Sequence, residues 1–273
     1  MKPLLAVDGD SFAHRAYHSM PKSVNGNAIV GFTNMMIGLW EQTQPRAVVV
    51  GWDTLEVPTY RHEAFAAYQA GRVFDKSLLD QLGMLPELCT ALNFAVGKAP
   101  GYEADDFLAA SVASEEGRGG MTLVASGDRD TFQLVSARTT VLQPIRGVSE
   151  IARIGPAEVR ARYGVEPTQV PDFIALRGDP SDKLPGAKGV GPKTAASLLE
   201  QYESLEAMLD DGRFSAQADE LRLYKRIASM DAEAPLPELP DAQPDWEGGA
   251  RLSRSWGLNG LADRLEGRAQ STS

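Results

Sequence analysis

The sequence is poor in the residues that build disulfides and zinc sites. Its 273 residues contain one cysteine, Cys89, and three histidines. A single cysteine excludes an intramolecular disulfide and a cysteine-based zinc site. The histidines, His14, His18 and His62, lack the spacing of zinc ligands. This composition suits a reducing compartment, so we expect a cytoplasmic protein.

Long apolar segments are missing as well. The N-terminal apolar run stops at Asp8, which is too short for the core of a signal peptide. No later segment approaches the roughly 20 apolar residues of a membrane-spanning helix. We therefore expect a soluble protein with no membrane partner.

Basic residues are fewer than acidic ones. The sequence has 27 Lys and Arg residues and 37 Asp and Glu residues, so the formal net charge is −10. Such a balance argues against nucleic-acid binding at first sight, because phosphates are usually met by basic surfaces. The objection loses force if many acids converge on one cation-binding site, which leaves local Lys and Arg side chains free to face phosphates.

Short apolar runs that end in acids predict a mostly parallel sheet. Residues 4–7 lead into Asp8, residues 46–50 into Asp53, and residues 121–125 into Asp128 and Asp130. An amphipathic helical pattern between the first two runs predicts a βαβ unit, and residues 139–142 predict a further strand. Ligands of parallel sheets collect beyond the carboxyl ends of the strands, so we expect these acids at one edge.

The stretch GYEADDFL, residues 101–108, places Glu103, Asp105 and Asp106 at the start of a predicted helix. Carboxylates in a first helical turn can simply cap free N–H groups. Their position beside the strand ends favours metal ligation, because clustered acids repel each other unless cations bind them. Oxygen-only ligand sets favour Mg²⁺ or Mn²⁺, and two such ions about 3.5–4 Å apart can promote phosphodiester hydrolysis. Capping stays open for one of the three acids.

Residues 184–202, LPGAKGVGPKTAASLLEQY, predict a helix–hairpin–helix together with a preceding helix over 170–176. Pro192 interrupts a match to a nucleotide-binding loop and no strand precedes the glycines, so ATP binding is excluded. Turn N–H groups around Gly189 and Gly191, with Lys188 and Lys193, can grip a duplex phosphate without reading sequence. A plain glycine turn between packed helices is the alternative.

Two further segments have a structural and a functional interpretation. Asp179 and Asp182, just before the hairpin, form either an Asx turn or additional metal ligands. Residues 59–72, TYRHEAFAAYQAGR, alternate aromatic and cationic side chains, including Arg61, Tyr68 and Arg72. That pattern suits single-stranded DNA, but an apolar stripe of this kind can equally belong to the core.

Several of these motifs, in this order, resemble those of bacterial 5′→3′ exonucleases of the flap-endonuclease family, including the 5′-nuclease domain attached to DNA polymerase I. The motifs are YRHE, YxAGR, GYEADD, SGDRD-FQL, GDPSDKLPG and GVGPKTA. The resemblance implies an α/β, PIN-like nuclease core with a central, mostly parallel sheet, a helical arch and a helix–three-turn–helix DNA-binding region. The sequence ends after a predicted final helix over 250–265, so we expect a free-standing nuclease.

The resemblance also implies a division of the chain. Residues 1–150 would form the nuclease core, with the arch at about 55–85. Residues 151–233 would form the helical DNA-binding region, with the hairpin at 170–200. Residues 234–273 would form a Pro-rich linker and the C-terminal helix.

The family's functional residues map onto this sequence one by one. The implied metal ligands and catalytic acids are Asp8, Asp53, Glu103, Asp105, Asp106, Asp128, Asp130, Asp179 and Asp182, of which Asp106 has the least defined role. The implied DNA-binding residues are Arg61, Tyr68, Gln69, Arg72, Lys183, Lys188, Gly189, Gly191, Lys193 and Thr194. Gln69 stands where the family has a lysine that polarises the scissile phosphate, so Arg72 or Arg61 must supply that charge, and Arg72 is assigned a catalytic role. Lys183 replaces a commoner asparagine and is expected to add a phosphate contact.

The implied activity is structure-specific cleavage of DNA at 5′ ends, flaps or nicks by a two-metal mechanism with Mg²⁺ or Mn²⁺. A K⁺ ion at the hairpin turn, a role in replication and repair that includes RNA-primer processing, a monomeric state and a place in the bacterial nucleoid belong to the same expectation. Contacts with a polymerase, ligase or sliding clamp stay open. The alternatives are a haloacid-dehalogenase-type phosphatase, because Asp8 and Asp10 have Asp-x-Asp spacing, a non-catalytic junction binder, and a related small-fold RNA nuclease.

Overall fold

A six-stranded sheet lies at the centre of the structure, a computed structural model that describes residues 2–71 and 73–272. Its strands are β1 (Leu4–Asp8), β2 (Ala47–Gly51), β3 (Ala95–Gly97), β4 (Thr122–Ala125), β5 (Thr139–Arg146) and β6 (Glu150–Ile154). The order across the sheet is β3-β2-β1-β4-β5-β6, and neighbours run parallel except β5 and β6. The four strands expected from sequence are confirmed. β3 and β6 were not predicted, because β3 has three residues and β6 carries charged, exposed positions.

Helices cover both faces of this sheet. Those of the first part of the chain are α1 (Gly9–Ser19), α2 (Asn27–Thr43), α3 (Tyr60–Ala64), α4 (Lys76–Ala91) and α5 (Ala104–Gly117). Those of the second part are α6 (Pro156–Tyr163), α7 (Val170–Arg177), α8 (Pro192–Tyr202), α9 (Leu205–Asp210), α10 (Ala218–Ala228), α11 (Trp246–Ser255) and α12 (Asn259–Thr272). No helix in these described ranges is long and apolar enough to cross a bilayer.

Alternation along β1 divides the core into two layers. Leu5 and Val7 belong to the cluster that includes side chains of α1, α2, α4, α11 and α12. Leu4 and Ala6 belong to the cluster on the other face, with side chains of α5, α7, α8, α9 and α10. Successive strand residues point to opposite faces of the sheet. Because helices cover both faces, every residue of β1 is buried and the strand is apolar without alternation until Asp8.

The Pro-rich segment is fixed to the core by one buried arginine. Residues 234–245 form neither helix nor strand, which agrees with the expected extended conformation. Arg46, 5% exposed, pairs with the buried Glu115 and donates to the Leu239 carbonyl (2.7 Å) and to Asp241 (3.1 Å). The N–H of Ala242 donates in turn to the Arg46 carbonyl at 2.8 Å. This contact ties the segment to the start of β2.

One sequence-based expectation about secondary structure is wrong. The single C-terminal helix expected over 250–265 is two helices, α11 and α12, separated by a turn in which Gly257 has φ +75°. The amphipathic pattern runs through this turn, so periodicity alone does not reveal it. The core boundary at residue 150 falls at the first residue of β6, which pairs with β5 and therefore belongs to the same sheet.

The segment expected to form a helical arch, about 55–85, is mostly irregular before α4. α3 has five residues, and turns follow it up to Gly71. Gln69 (φ +49°) and Gly71 (φ +84°) adopt left-handed backbone conformations, which end helical structure. α4 then begins after Asp75, whose side chain accepts from the N–H of Ser77.

Candidate active site

A cavity of about 460 Å³ lies at the carboxyl edge of the sheet, where the sequence predicted an acid cluster. Acids from five parts of the chain line it: Asp8, Asp10, Asp53, Glu103, Asp105, Asp128, Asp130 and Asp182. Arg61, Tyr68, Gln69, His14 and Phe74 complete much of its wall. The structure therefore brings together most of the carboxylates that the sequence identified.

The ends of β1 and β2 hold their acids rigidly. Asp8 is the N-cap of α1, and its side chain accepts from the Ser11 N–H (2.9 Å) and the Ser126 hydroxyl (2.6 Å). Asp53 follows β2, and its Oδ1 accepts from the N–H of Ala104 at 2.8 Å, at the start of α5. Hydrogen bonds from neighbouring elements thus fix the orientation of both carboxylates.

The three acids at the start of α5, Glu103, Asp105 and Asp106, have different environments. Glu103 is the N-cap, and Asp106 completes a capping box by accepting from the Glu103 N–H at 3.0 Å. Asp106 is fully buried and also accepts from Arg61 (2.9 Å), the Tyr60 hydroxyl (3.1 Å) and the N–H of Asp231 (2.8 Å). It does not line the cavity. Metal ligation by Asp106 stays a prediction, and in this arrangement its oxygens serve the helix cap and the arginine.

Arg61 is an internal counter-ion of the acid cluster. Its side chain is 1% exposed and lies 3.1 Å from Glu103, 3.2 Å from Asp105 and 2.9 Å from Asp106. It also donates to the carbonyl of Ile227 at 3.0 Å. Contact of Arg61 with DNA stays a prediction, and in this structure the carboxylates hold its guanidinium below the surface. Burial alone would lower its pKa, but the charges of Asp105, Glu103 and Asp106 raise that pKa well above its usual value.

Tyr68 and Gln69 face the cluster as well. Tyr68 is 4% exposed, and its hydroxyl donates to Glu103 at 2.9 Å. Stacking of its ring on a DNA base stays a prediction, and in this structure the ring packs in the core. Gln69 donates to the Tyr68 hydroxyl (2.8 Å) and to Asp182 (3.3 Å), which puts its amide inside the cavity. The expected contact of Arg72 falls on a residue outside the described ranges.

The second group of acids lies between β4 and the hairpin. Asp128 and Asp130 line both the acid cavity and a neighbouring cavity of about 1030 Å³, while Asp182 lines the first and Asp179 the second. Asp179 accepts from the Ser181 N–H (2.8 Å) and from Arg177 (3.1 Å). The Asx-turn interpretation therefore holds for Asp179, and its carboxylate still lies beside Asp130.

Burial and mutual repulsion raise the pKa values of several of these carboxylates. Burial raises the pKa of Asp8 from 3.8 to about 7. Burial, followed by neighbouring negative charge, raises the pKa values of Asp10, Asp105 and Asp130 well above the ordinary value, although Arg61 partly opposes this for Asp105. A cavity with this excess of negative charge has a donor set that a hard divalent cation would neutralise.

The chemistry of the side chains fits a divalent metal better than their present spacing does. The cavity acids offer only carboxylate oxygens, which Mg²⁺ and Mn²⁺ prefer. Among the described residues, however, no group of three or more His, Cys, Asp or Glu side chains is arranged to hold an ion. Glu103 shows the reason, since it accepts from Thr59 (2.6 Å) and Tyr68 (2.9 Å) and pairs with Arg61. Hydrogen-bond donors and a guanidinium of the protein thus stabilise the Glu103 carboxylate in the way that a bound cation would.

The predicted hairpin is confirmed between α7 and α8. Gly186 is needed here, because a Cβ on it would lie 2.5 Å from the backbone N of Gly178. Pro192 is the first residue of α8, as expected. The residues with predicted phosphate contacts are placed at the surface, with Lys183, Lys188, Gly189, Lys193 and Thr194 exposed and Gly191 half-buried. The N–H of Lys188 donates to the Gln217 side chain at 3.0 Å, so this turn amide is not available to a phosphate.

The hairpin and the acids share the larger cavity. Lys193 lines it together with Asp128, Asp130 and Asp179. Arg129 and Arg162, both exposed, line it too, and sequence analysis did not single them out. A basic surface next to the acid edge is the arrangement that the charge argument required, because local cations can face phosphates despite the acidic total.

Two family models cover most of the chain. The model described as 5′-3′ exonuclease, N-terminal resolvase-like domain, matches residues 3–164, and the one described as 5′-3′ exonuclease, C-terminal SAM fold, matches residues 165–245. The chain belongs to the 5′-3′ exonuclease family. This membership confirms the resemblance and the fold class, and it removes the phosphatase alternative.

Curated relatives are much longer than this chain. DNA polymerase I of Mycobacterium tuberculosis is 38% identical over 255 residues, which are 87% of this chain and 28% of the relative. The thermostable DNA polymerase I of Thermus thermophilus is 36% identical over 282 residues, which are 96% of this chain and 32% of the relative. The chain thus spans about a third or less of the length of these relatives.

Solved structures support the fold independently. The flap endonuclease of bacteriophage T5, crystallised as a pseudo-enzyme-product complex with DNA and metal ions, superposes with a TM-score of 0.71. The match covers 98% of this chain and 99% of the phage protein at 17% identity. At this identity the likeness establishes the shared fold alone.

Some site residues had a weak signal in the sequence. Asp10 lines the cavity and accepts from the Asp53 N–H, but its spacing from Asp8 pointed only to the phosphatase alternative. Ser126 and Thr59 donate to Asp8 and Glu103, but no motif in the sequence distinguishes either residue. Only the three-dimensional arrangement reveals such partners.

Proposed function

We propose that the chain is a divalent-metal-dependent 5′ nuclease that hydrolyses DNA phosphodiesters at free 5′ ends, flaps or nicks. The observation that carries this proposal is the convergence of eight carboxylates on one cavity whose neighbour is lined by the hairpin lysine Lys193. Membership in the 5′-3′ exonuclease family supports the same activity. Removal of flaps and RNA primers during replication and repair is the role that fits it.

Two sets of acids would hold the ions. Asp8, Asp53, Glu103 and Asp105 form the proposed tighter set, and Asp128, Asp130, Asp179 and Asp182 form the second. When bound, Mg²⁺ or Mn²⁺ would supply Lewis-acid activation of water and stabilisation of the leaving oxygen. Metal loading would require Glu103 and Asp105 to exchange the Arg61 contact for the ion, since these carboxylates are now paired with the guanidinium.

The chain's own residues would position the DNA. The exposed Lys193 and Thr194 at the first turn of α8 would meet a duplex phosphate, where free N–H groups and the helix dipole also favour negative charge. Lys188, Gly189 and Gly191 would complete this contact, and the turn would hold a K⁺ ion. Gln69, inside the cavity, would hydrogen-bond the scissile phosphate in place of the family's lysine. Arg72 would supply the cation.

A flap-cleavage assay tests the proposal. A 5′-labelled flap duplex, with blunt and single-stranded controls, is incubated with Mg²⁺ or Mn²⁺ and with chelator. We expect cleavage near the flap base that depends on the metal and leaves a 5′-phosphate. Asp53→Asn should reduce the rate at least about a hundredfold, as removal of a metal ligand should. The matched control Asp219→Asn, an exposed carboxylate on α10, should cleave like wild type. Folded protein that cleaves no substrate with either metal would refute the proposal.

A further inference from the structure

The feature that the proposed function leaves unexplained is Asp10, a carboxylate that lines the acid cavity without belonging to either proposed ligand set. Its Oδ2 accepts from the backbone N–H of Asp53 at 2.7 Å. We propose that Asp10 is a positioning residue that holds the metal ligand Asp53 in place through its backbone amide. This inference rests on the proposed metal-dependent activity.

The contact follows from how the first two strands end. β1 leads directly into α1, and Asp10 stands in the first turn of that helix. Gly9 brings this turn against the end of β2, since a Cβ at Gly9 would lie 2.7 Å from the Gly51 carbonyl oxygen and from the Trp52 ring. The close approach puts the Asp10 carboxylate within hydrogen-bond reach of the residue after Trp52, which is Asp53.

Asp53 is thereby fixed at two points on different helices. Its backbone N–H donates to Asp10 on α1, and its Oδ1 accepts from the N–H of Ala104 on α5 at 2.8 Å. Together these bonds set both the backbone position and the direction of the side chain. Partners that orient a metal ligand in this way typically change metal affinity or activity 10–100-fold when they are removed.

A positioning role and a ligand role for Asp10 make different demands on the side chain. Positioning needs an acceptor oxygen of the right reach, which asparagine retains. Ligation of a hard cation needs the carboxylate charge, which asparagine lacks. Asp10→Asn and Asp10→Ala therefore separate the two roles.

The test measures Mn²⁺ binding by titration calorimetry on chelator-stripped protein in the absence of DNA, with thermal melting to confirm folding. Asp219→Ala, which removes an exposed carboxylate from the first turn of α10, is the matched control. We expect Asp10→Ala to weaken Mn²⁺ binding about tenfold. Asp10→Asn should stay within about threefold of wild type, and Asp219→Ala should be unchanged.

Each other result overturns the inference. Equal weakening by Asp10→Asn and Asp10→Ala would assign a ligand role to the charge. Wild-type affinity in a folded Asp10→Ala protein would show that Asp53 needs no such support. Failure of wild type itself to bind Mn²⁺ would overturn the proposed function together with this inference, whereas the first two results would leave the proposed function intact.

Discussion

Asp8 provides a direct test of the electrostatics of the cavity, through the substitution Asp8→Asn. Burial raises its pKa from 3.8 to about 7, hydrogen bonds from Ser126 and Ser11 oppose the shift, and the charges of Asp53 and Asp128 add to it. Because the folded pKa lies above the unfolded one, the charged carboxylate destabilises the metal-free fold above about pH 7. This penalty disappears as the pH falls towards about 4. At about 1.4 kcal/mol per pKa unit, the shift corresponds to roughly 4 kcal/mol.

Asp8→Asn removes the charge and preserves the size of the side chain. Asparagine has one acceptor oxygen, so it cannot serve both the Ser11 N–H and the Ser126 hydroxyl, and losing one bond costs about 1–3 kcal/mol. We therefore expect the metal-free variant to be more stable than wild type by about 1–3 kcal/mol near pH 8, an advantage that vanishes near pH 5. Saturating Mn²⁺ should reverse the order near pH 8, because only wild type retains the ligand.

The assay is urea unfolding followed by tryptophan fluorescence across this pH range, with chelator and with Mn²⁺. Asp219→Asn, which changes an exposed carboxylate, should parallel wild type at every pH. A free-energy difference between Asp8→Asn and wild type that stays constant with pH would refute the reasoning. It would mean that burial does not raise the pKa of Asp8 in the native cavity.

The remaining predictions concern the core, the cavity wall and the hairpin. Glu115→Ala should lower the free energy of unfolding by about 3–5 kcal/mol in urea titrations, since it leaves the buried Arg46 with only the exposed Asp241 as a charged partner; a loss under about 1 kcal/mol would contradict this. Gln69→Lys should raise kcat in flap cleavage if a missing cation limits the rate, and a drop would show that the amide's bonds to Tyr68 and Asp182 matter more. Lys193→Ala should weaken duplex binding and reduce its salt dependence by about one phosphate contact at unchanged kcat. Lys2→Ala, an exposed control, should do neither.

The sequence was informative wherever local chemistry decides the structure. Apolar runs that end in acids identified β1, β2 and β4 because parallel strands are buried on both faces. The glycines and Pro192 identified the hairpin because only certain backbone conformations allow that turn. The gathering of acids at one edge followed from topology alone, since parallel strands carry their carboxyl ends to the same side.

Long-range pairing explains what sequence analysis missed. Arg61 and Tyr68 lie in a stretch whose alternation of aromatics and cations fits single-stranded DNA and fits a core stripe equally well. The decision between these roles depends on Glu103, Asp105 and Asp106, which lie more than 30 positions away in sequence. The periodicity of a sequence reports local structure and does not reveal partners at that separation. An arginine next to a histidine, as Arg61 is to His62, gives no local sign that it will be buried.

The placement of Arg61 also changes how the net charge should be understood. The acidic total of −10 suggested that the acids must be offset by metal ions. The structure shows a second source of neutralisation, because one buried guanidinium faces three of those acids. An ion that enters beside Glu103 and Asp105 would therefore compete with Arg61 for these carboxylates, which reduces its net gain in binding energy. Asp106 is fully buried, lies 2.9 Å from the guanidinium and does not line the cavity, so its pairing with Arg61 does not compete with an ion there.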